Sequence, residues 1–182
     1  MAPVRQVSKR IAEVELYPAV LKLFAKQPHA FVEVPYHGKR VDLVFSTQRM
    51  RYLYAVEVKV MNWRHAVKQA ALNQLFAHLS YVALPEEIVK RFDDRRRSIF
   101  ETYNIGLIAV AGEARIEIQA KRTSFFHATH HQAVKTILKA ANASLLPKDL
   151  GVLTHAIANR SRTLDLLQAW PNERERAFQA AT

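Results

Sequence analysis

Two stretches of alternating sequence, residues 40–46 and 52–60, constrain the fold of this chain most strongly. Both are rich in β-branched and aromatic residues, which is typical of strands. The polar connection between them, residues 47–51, is short enough to predict a β-hairpin. Each predicted strand has one apolar face, and its other face is interrupted by charged residues.

The predicted hairpin brings two carboxylates face to face. If it is centred between Arg49 and Met50, the numbers of paired residues add up to 99. This register places Asp42 opposite Glu57, with their Cβ atoms about 5 Å apart. Lys59 projects from the same face as Glu57. A hard divalent cation between the two acids would remove their repulsion, because one or two carboxylates suffice to hold Mg²⁺. The alternative is an exposed, salt-bridged face.

The remaining pattern predicts a mixed α/β domain with a central sheet. We predict helices at 8–27, with Ser8 as a possible N-cap, at 63–79 and at 86–100, and further strands at 30–35, 81–84, 105–111 and 115–120. We assign residues 1–125 to this core. Residues 126–182 are predicted to form a helical C-terminal extension, which can pack on the core as part of one domain.

The first predicted helix carries an acid on its apolar side. At 100° per residue, Glu13 falls in the middle of the face formed by Leu16, Tyr17, Val20, Leu23 and Phe24. A buried carboxylate is costly unless it is paired or binds a metal. The alternative is a frayed first turn, where an acid favours the helix dipole.

Composition narrows the function classes. The net charge of +11 and the sequence pI near 10.1 indicate an anionic partner, usually nucleic acid. The absence of cysteine excludes disulfides, thiolate zinc sites and a cysteine nucleophile. No apolar run is long enough to span a membrane, and no secretory signal is visible, so we expect a cytoplasmic protein.

The order of these residues resembles the PD-(D/E)xK, or restriction-endonuclease-like, nuclease superfamily. The resemblance covers roughly residues 8–120 and depends on Glu13, on Asp42 and on the run Glu57-Val58-Lys59. Further similarity to one branch of these proteins lies in residues 16–20, 62–70 and 80–85. Val41 stands where the superfamily motif has proline. The resemblance implies an α/β fold with a restriction-endonuclease-like core, in which helices flank a central mixed β-sheet.

The resemblance also implies roles for individual residues. Asp42 and Glu57 would bind the metal, with the Val58 carbonyl as a further ligand, and Lys59 would position or activate the attacking water. Glu13 would complete or polarise the metal site. On the next helix, Gln69 would contact the site or the substrate.

The resulting expectation is a Mg²⁺-dependent nuclease, with Mn²⁺ able to substitute, that hydrolyses phosphodiester bonds; DNA is expected as its substrate ahead of RNA. A homodimer is compatible with this function. Contacts to the nucleic-acid backbone are expected from Lys39, Arg40, Arg49, Arg51, Arg64 and Lys68. The alternatives are a non-catalytic nucleic-acid-binding or regulatory protein that keeps the fold, and an assembly protein whose charge serves solubility.

Four other signals point only weakly to function. His127 and His131 have the i, i+4 spacing of a metal pair, but no acid accompanies them. Residues 95–97 are three arginines that could bind phosphate or form a solvated helix end. Trp63 could stack on a base, although packing between helix and sheet is the simpler role. Residues 148–170 are compatible with a helix-turn-helix.

Overall fold

The six strands lie in the sheet in the same order as in the chain. The structure is a computed structural model, and it describes residues 12–141. The strands are β1 (His29–Tyr36), β2 (Lys39–Ser46), β3 (Leu53–Val58), β4 (Leu79–Pro85), β5 (Gly106–Ala111) and β6 (Glu113–Ile118). The helices are a 3₁₀-helix (Glu13–Leu16), α1 (Tyr17–Leu23), α2 (Trp63–Asn73), α3 (Glu86–Val89), α4 (Asp94–Thr102) and α5 (Ala128–Ala141).

The sheet is mixed, because hairpins and crossovers alternate along the chain. Antiparallel pairing joins β1 to β2, β2 to β3 and β5 to β6, whereas β3, β4 and β5 are parallel neighbours. The parallel pairs need crossover connections, and helices α2, α3 and α4 supply them. This mixed α/β architecture with flanking helices is the coarse fold that the sequence predicts.

The predicted register of the central hairpin is confirmed. Leu43 pairs with Val56 and Ser46 with Leu53, so paired numbers add up to 99 along the β2–β3 ladder. Asp42 and Glu57 come next in this register, immediately beyond the pair Leu43 and Val56. The hairpin therefore carries both acids to the end of the ladder opposite its turn.

Helices cover both faces of the sheet. Against one face, the 3₁₀-helix, α1 and the residue after it pack Leu16, Val20 and Phe24 onto Leu43, Phe45 and Val56. Against the other face lie α2 and α4, through Ala66, Ala70 and Phe100, and also α5. The side chains of β3 alternate between these faces, which is why Val56 and Val58 belong to one core and Leu53 and Ala55 to another.

Three predicted helices differ from the observed ones. In place of a helix at 8–27, the 3₁₀-helix is followed by α1, because Pro18 lies in the first turn of α1, where its missing N–H is tolerated. The predicted cap Ser8 lies outside the described residues. Helix α2 ends at Asn73 instead of 79, since the His78 N–H already bonds to the Leu53 carbonyl beside β3.

The predicted helix at 86–100 is two helices. Asp93 interrupts it by capping α4: its Oδ1 accepts the Arg96 N–H at 2.9 Å. The arginine tract therefore lies at the N-terminal end of α4, and not near the C-terminal end of a single helix as the sequence suggested.

Helix α5 belongs to the same core as the strands. Val134, Ile137 and Leu138 are buried against Phe31 and Phe76, among others. The rest of the predicted extension lies outside the described residues. Among residues 12–141, no helix combines the length and the apolar character that crossing a bilayer requires.

Candidate metal and phosphodiester site

Asp42 lies where β2 and β3 stop pairing. Its Oδ2 accepts the Val58 N–H at 2.7 Å, so a side chain takes the place of the next ladder partner. Only 8% of Asp42 is exposed. Burial raises the pKa of this carboxyl, and the Lys59 ammonium partly offsets the rise.

Glu57 is the most deeply buried acid of the site. It is 1% exposed, and its Oε1 accepts a hydrogen bond of 2.7 Å from Asn73 Nδ2 on α2. Its Oε2 is buried and has no hydrogen-bond partner among the described residues. Burial, followed by the charge of Asp42, raises the pKa of Glu57 to about 8. Near neutral pH, this carboxyl must therefore hold a proton or be close to a cation.

Lys59 follows β3 directly and links the sheet to the 3₁₀-helix. Its Nζ donates to Glu13 Oε2 at 2.9 Å and to the Val58 carbonyl at 3.0 Å, and it lies 3.5 Å from Asp42 Oδ2. Burial acts to lower the pKa of Lys59, but Asp42 and Glu13 outweigh it and raise that pKa. Lys59 is therefore held as an ammonium ion among the acids.

Glu33 is a site residue that the sequence reasoning missed. Paired numbers in β1 and β2 add up to 75, as for Val32 with Leu43, so Glu33 lies at the level of Asp42. The same arithmetic that placed Glu57 on one side of Asp42 could have placed Glu33 on the other. Its backbone has a φ of 55°, which is uncommon outside glycine and locally interrupts the ladder.

Tyr17 on α1 holds the Glu33 carboxyl. The tyrosine hydroxyl donates to Glu33 Oε1 at 2.9 Å. Burial raises the pKa of Glu33, and this hydrogen bond partly offsets the rise. Burial, together with Asp42 and Glu33, also raises the pKa of the Tyr17 hydroxyl, so this group remains a donor.

The charges of the site leave room for a cation. The carboxyl groups of Glu13 and Asp42 lie 2.9 and 3.5 Å from the Lys59 ammonium, whose charge also acts on Glu33 and Glu57. Within residues 12–141, no three His, Asp or Glu side chains are arranged to bind one ion. A divalent cation would therefore depend on Asp42 and Glu57 as its carboxylate ligands, with water and backbone carbonyls completing its shell. The unpartnered Oε2 of Glu57 fits that demand.

Two amides on α2 complete the inner surface of the site. Gln69, which was predicted, is half-buried, and its Oε1 is buried with no hydrogen-bond partner among the described residues. Asn73, which was not predicted, lies one turn later and binds Glu57. Its role depends on how α2 docks on the sheet, which residue spacing does not reveal.

The basic residues fall into separate groups. Lys39 and Arg40 line a cleft that Glu57 also lines. Arg49 and Arg51 lie beside the turn at the other end of the β2–β3 hairpin, about 13 Å along the strand from Asp42. On α2, Arg64 lies over the Trp63 ring at 4.6 Å, and Lys68 is exposed one turn later.

The weak signals have structural roles in the described part of the chain. Trp63 is 9% exposed and packs against Phe92 and Phe100. The His131 Nδ1 lies 2.9 Å from the Phe76 carbonyl. His127 contacts the His130 ring, 5.4 Å between centroids. Arg96 and Arg97 are near Asp93 and Glu117. Residues 148–170 lie outside the described residues.

Comparison with known proteins supports the fold. No protein-family model matches the sequence, and no curated protein matches it. A solved protein of unknown function from Silicibacter pomeroyi is similar in structure, with a TM-score of 0.53 and 16% sequence identity over 72% of this chain and 88% of that chain. At this identity the likeness concerns the fold alone, and the chain shares a mixed α/β architecture with that protein.

Proposed function

We propose that the protein is a metal-dependent nuclease, a phosphodiester hydrolase acting on DNA. The single observation that carries this proposal is the buried Asp42–Glu57 pair, in which Glu57 Oε2 has no hydrogen-bond donor among the described residues. A stable fold gains nothing from such a pair, because an unsatisfied buried acceptor costs about 1–3 kcal/mol. A divalent cation bound between Asp42 and Glu57 would explain why the fold contains this pair.

Each side chain has a distinct task in this proposal. Asp42 and Glu57 would hold Mg²⁺ or Mn²⁺, which supplies charge neutralisation at the phosphate and a more acidic water. Lys59 would orient the attacking water with its ammonium, and Glu13 fixes that ammonium through the bond at 2.9 Å. Asn73 on α2 orients Glu57 through its hydrogen bond to Oε1. The basic surface would attract the polyanion.

We further infer a restriction-endonuclease-like core. Support comes from the order of the elements, in which a helix precedes three antiparallel strands and a crossover helix leads to a parallel fourth strand. The motif residues Asp42 and Glu57 lie at the end of the β2–β3 ladder opposite its turn, which supports this inference. The match in sequence remains the ordered set Glu13, Asp42, Glu57 and Lys59.

Cleavage of a labelled panel of DNA and RNA, in Mg²⁺, Mn²⁺ or EDTA, tests the proposal. We expect metal-dependent cutting by the wild type, lost by at least about a hundredfold in Lys59→Ala. Lys90→Ala is the matched control, because Lys90 forms only an exposed pair with Glu86. Salt-dependent binding without cutting in any metal would instead support the non-catalytic binder.

A further inference from the structure

A cleft opens next to the carboxylate pair. It lies between the β1–β2 turn, helix α2 and the first turn of α5, and its volume is about 420 Å³. That volume is within the range of about 300–1,000 Å³ that small-molecule sites occupy. Glu57 contributes to its wall, so the cleft and the proposed metal site share a residue.

Two of the residues that line this cleft each have a buried acceptor atom without a partner. Glu57 Oε2 and Gln69 Oε1 are both buried and both lack a hydrogen-bond donor among residues 12–141. Glu57 is accounted for by the proposed cation. Gln69 is not, and its amide oxygen needs an N–H or O–H donor from whatever enters the cleft.

The other surfaces of the cleft differ in character. Val41 on the sheet side and Leu72 and Leu75 on α2 make its walls apolar. Leu72 is half exposed, since it faces the opening and not the core. Lys39 and Arg40, both exposed, add positive charge from the β1–β2 turn. Apolar walls, two amide side chains and nearby cations match a flat base joined to a phosphate.

We propose that this cleft binds one unpaired nucleotide of the substrate, next to the phosphate held at Asp42 and Glu57. This inference rests on the proposed nuclease function and names its substrate class. The base would lie between the apolar walls and donate to Gln69 Oε1, and Lys39 and Arg40 would contact its phosphates. A paired nucleotide would first have to leave its partner, which costs free energy that an unpaired one does not pay. The preferred substrates are therefore single strands, overhangs and flaps.

Leu72→Trp tests the cleft by filling it from a half-exposed position that the core does not use. Ile116→Trp is the matched control, because Ile116 is also partly exposed but lies on β6, at the far edge of the sheet. The first readout is binding of the four deoxynucleoside 5′-monophosphates in Ca²⁺, by calorimetry. The second is cleavage of single-stranded, overhanging and blunt duplex DNA in Mg²⁺.

We expect Leu72→Trp to weaken nucleotide binding and slow single-strand cleavage by at least about tenfold each, with Ile116→Trp unchanged. Wild type should cut single strands at least about tenfold faster than blunt duplex. Equal rates on both substrates, with nucleotide binding unaffected by Leu72→Trp, would overturn the cleft proposal and leave the nuclease standing. Nucleotide binding that is lost in Leu72→Trp, in a protein that cuts nothing, would support the cleft and reject the nuclease.

Discussion

Glu57 stores unfavourable free energy in the folded protein. Its carboxyl is excluded from water, has one donor on Oε1 and none among the described residues on Oε2, and is close to Asp42. These features favour the neutral acid, so the metal-free protein gains or loses stability with pH through this one residue. Binding of a cation would instead stabilise the ionised form of this carboxyl.

Glu57→Gln should stabilise the metal-free protein at alkaline pH. The pKa of Glu57 is about 8 in the fold and near 4.5 when unfolded, so its contribution is fully present below pH 4.5 and is lost as pH rises through 8. Glutamine keeps an acceptor for Asn73 and does not titrate. We expect the variant to exceed wild type by about 2 kcal/mol at pH 8 and to match it at pH 5.

Urea denaturation in EDTA at both pH values measures this difference. Glu113→Gln is the control, because Glu113 is 82% exposed on β6. An advantage for Glu57→Gln of the same size at pH 5 and pH 8 would contradict the assigned titration.

His78 gives the fold an opposite dependence at acid pH. Its Nδ1 accepts the Leu53 N–H at 3.2 Å, so the ring is neutral in the fold. Burial, followed by His131 and Arg122, lowers the pKa of His78 to about 4. The stability it contributes is present above pH 6.5 and is lost as pH falls towards 4.

His78→Asn should therefore reduce the acid sensitivity of folding. Asparagine keeps an acceptor but takes up no proton, so the loss of stability between pH 7 and pH 5 should be smaller than in wild type by about 1 kcal/mol. Thermal unfolding across this range measures it, with His65→Asn, an exposed site on α2, as control. Parallel pH profiles for wild type and His78→Asn would show that His78 does not titrate on unfolding.

Strand β5 begins at a glycine that admits no side chain. A Cβ at Gly106 would overlap the Tyr81 ring and lie 2.9 Å from the Ala120 backbone nitrogen. Tyr81 cannot move aside easily, because it is 2% exposed and its hydroxyl accepts a hydrogen bond from Gln119. The approach of β5 to its neighbours therefore depends on this residue.

Gly106→Ala should lower the free energy of unfolding by about 2–3 kcal/mol, the usual cost of overpacking a core. Gly112→Ala is the comparison: its Cβ meets nothing within 4 Å, but its φ of +76° is left-handed, so we expect about 1 kcal/mol. Chemical denaturation of both variants gives the two values. A larger loss of unfolding free energy in Gly112→Ala than in Gly106→Ala would contradict the steric conflict between a Cβ at residue 106 and Tyr81.

The sequence predicts those elements that are determined by residues close to one another in the chain. Alternation and a short turn were enough for the β2–β3 register, and hence for Asp42 beside Glu57. Glu33 was missed although the β1–β2 turn carries the same kind of register information, with paired numbers that add up to 75 on both sides of it. Asn73 was not predicted, because its hydrogen bond to Glu57 joins α2 to the sheet between residues that are 16 positions apart in the sequence. Helix ends were predicted wrongly where a capping side chain, as at Asp93, or a hydrogen bond to a strand, as at His78, determines where the helix begins or ends.

Residues beyond 125 contribute to the hydrophobic core of the described part of the chain. Helix α5 places Val134, Ile137 and Leu138 in one cluster with residues of β1, β2 and β3. Burial of each such side chain is worth about 1.5–3 kcal/mol, which is large against a total stability of about 5–15 kcal/mol. Helix α5, which lies beyond residue 125, therefore packs in the same hydrophobic cluster as these strands.

A chain of residues 1–125 should fail to fold as the full chain does. We expect loss of the cooperative thermal transition, measured by circular dichroism. In the full chain, Leu138→Ala should cost about 2–5 kcal/mol, and the exposed Lys139→Ala should cost less than about 0.5 kcal/mol. A truncated chain that melts cooperatively near the full-length temperature would show that α5 is dispensable.

The sheet order has a consequence for how the molecule folds. Since β1, β2 and β3 are consecutive and antiparallel, their contacts are short in sequence, and such contacts form early. Glu33, Asp42 and Glu57 would then meet while water still surrounds them, and docking of α2 would desolvate Glu57 afterwards. Without metal, refolding should be slower at pH 8 than at pH 5 in stopped-flow measurements, and Glu57→Gln should remove the difference. The acids that are proposed to bind a metal would thus also set the pace at which the site assembles.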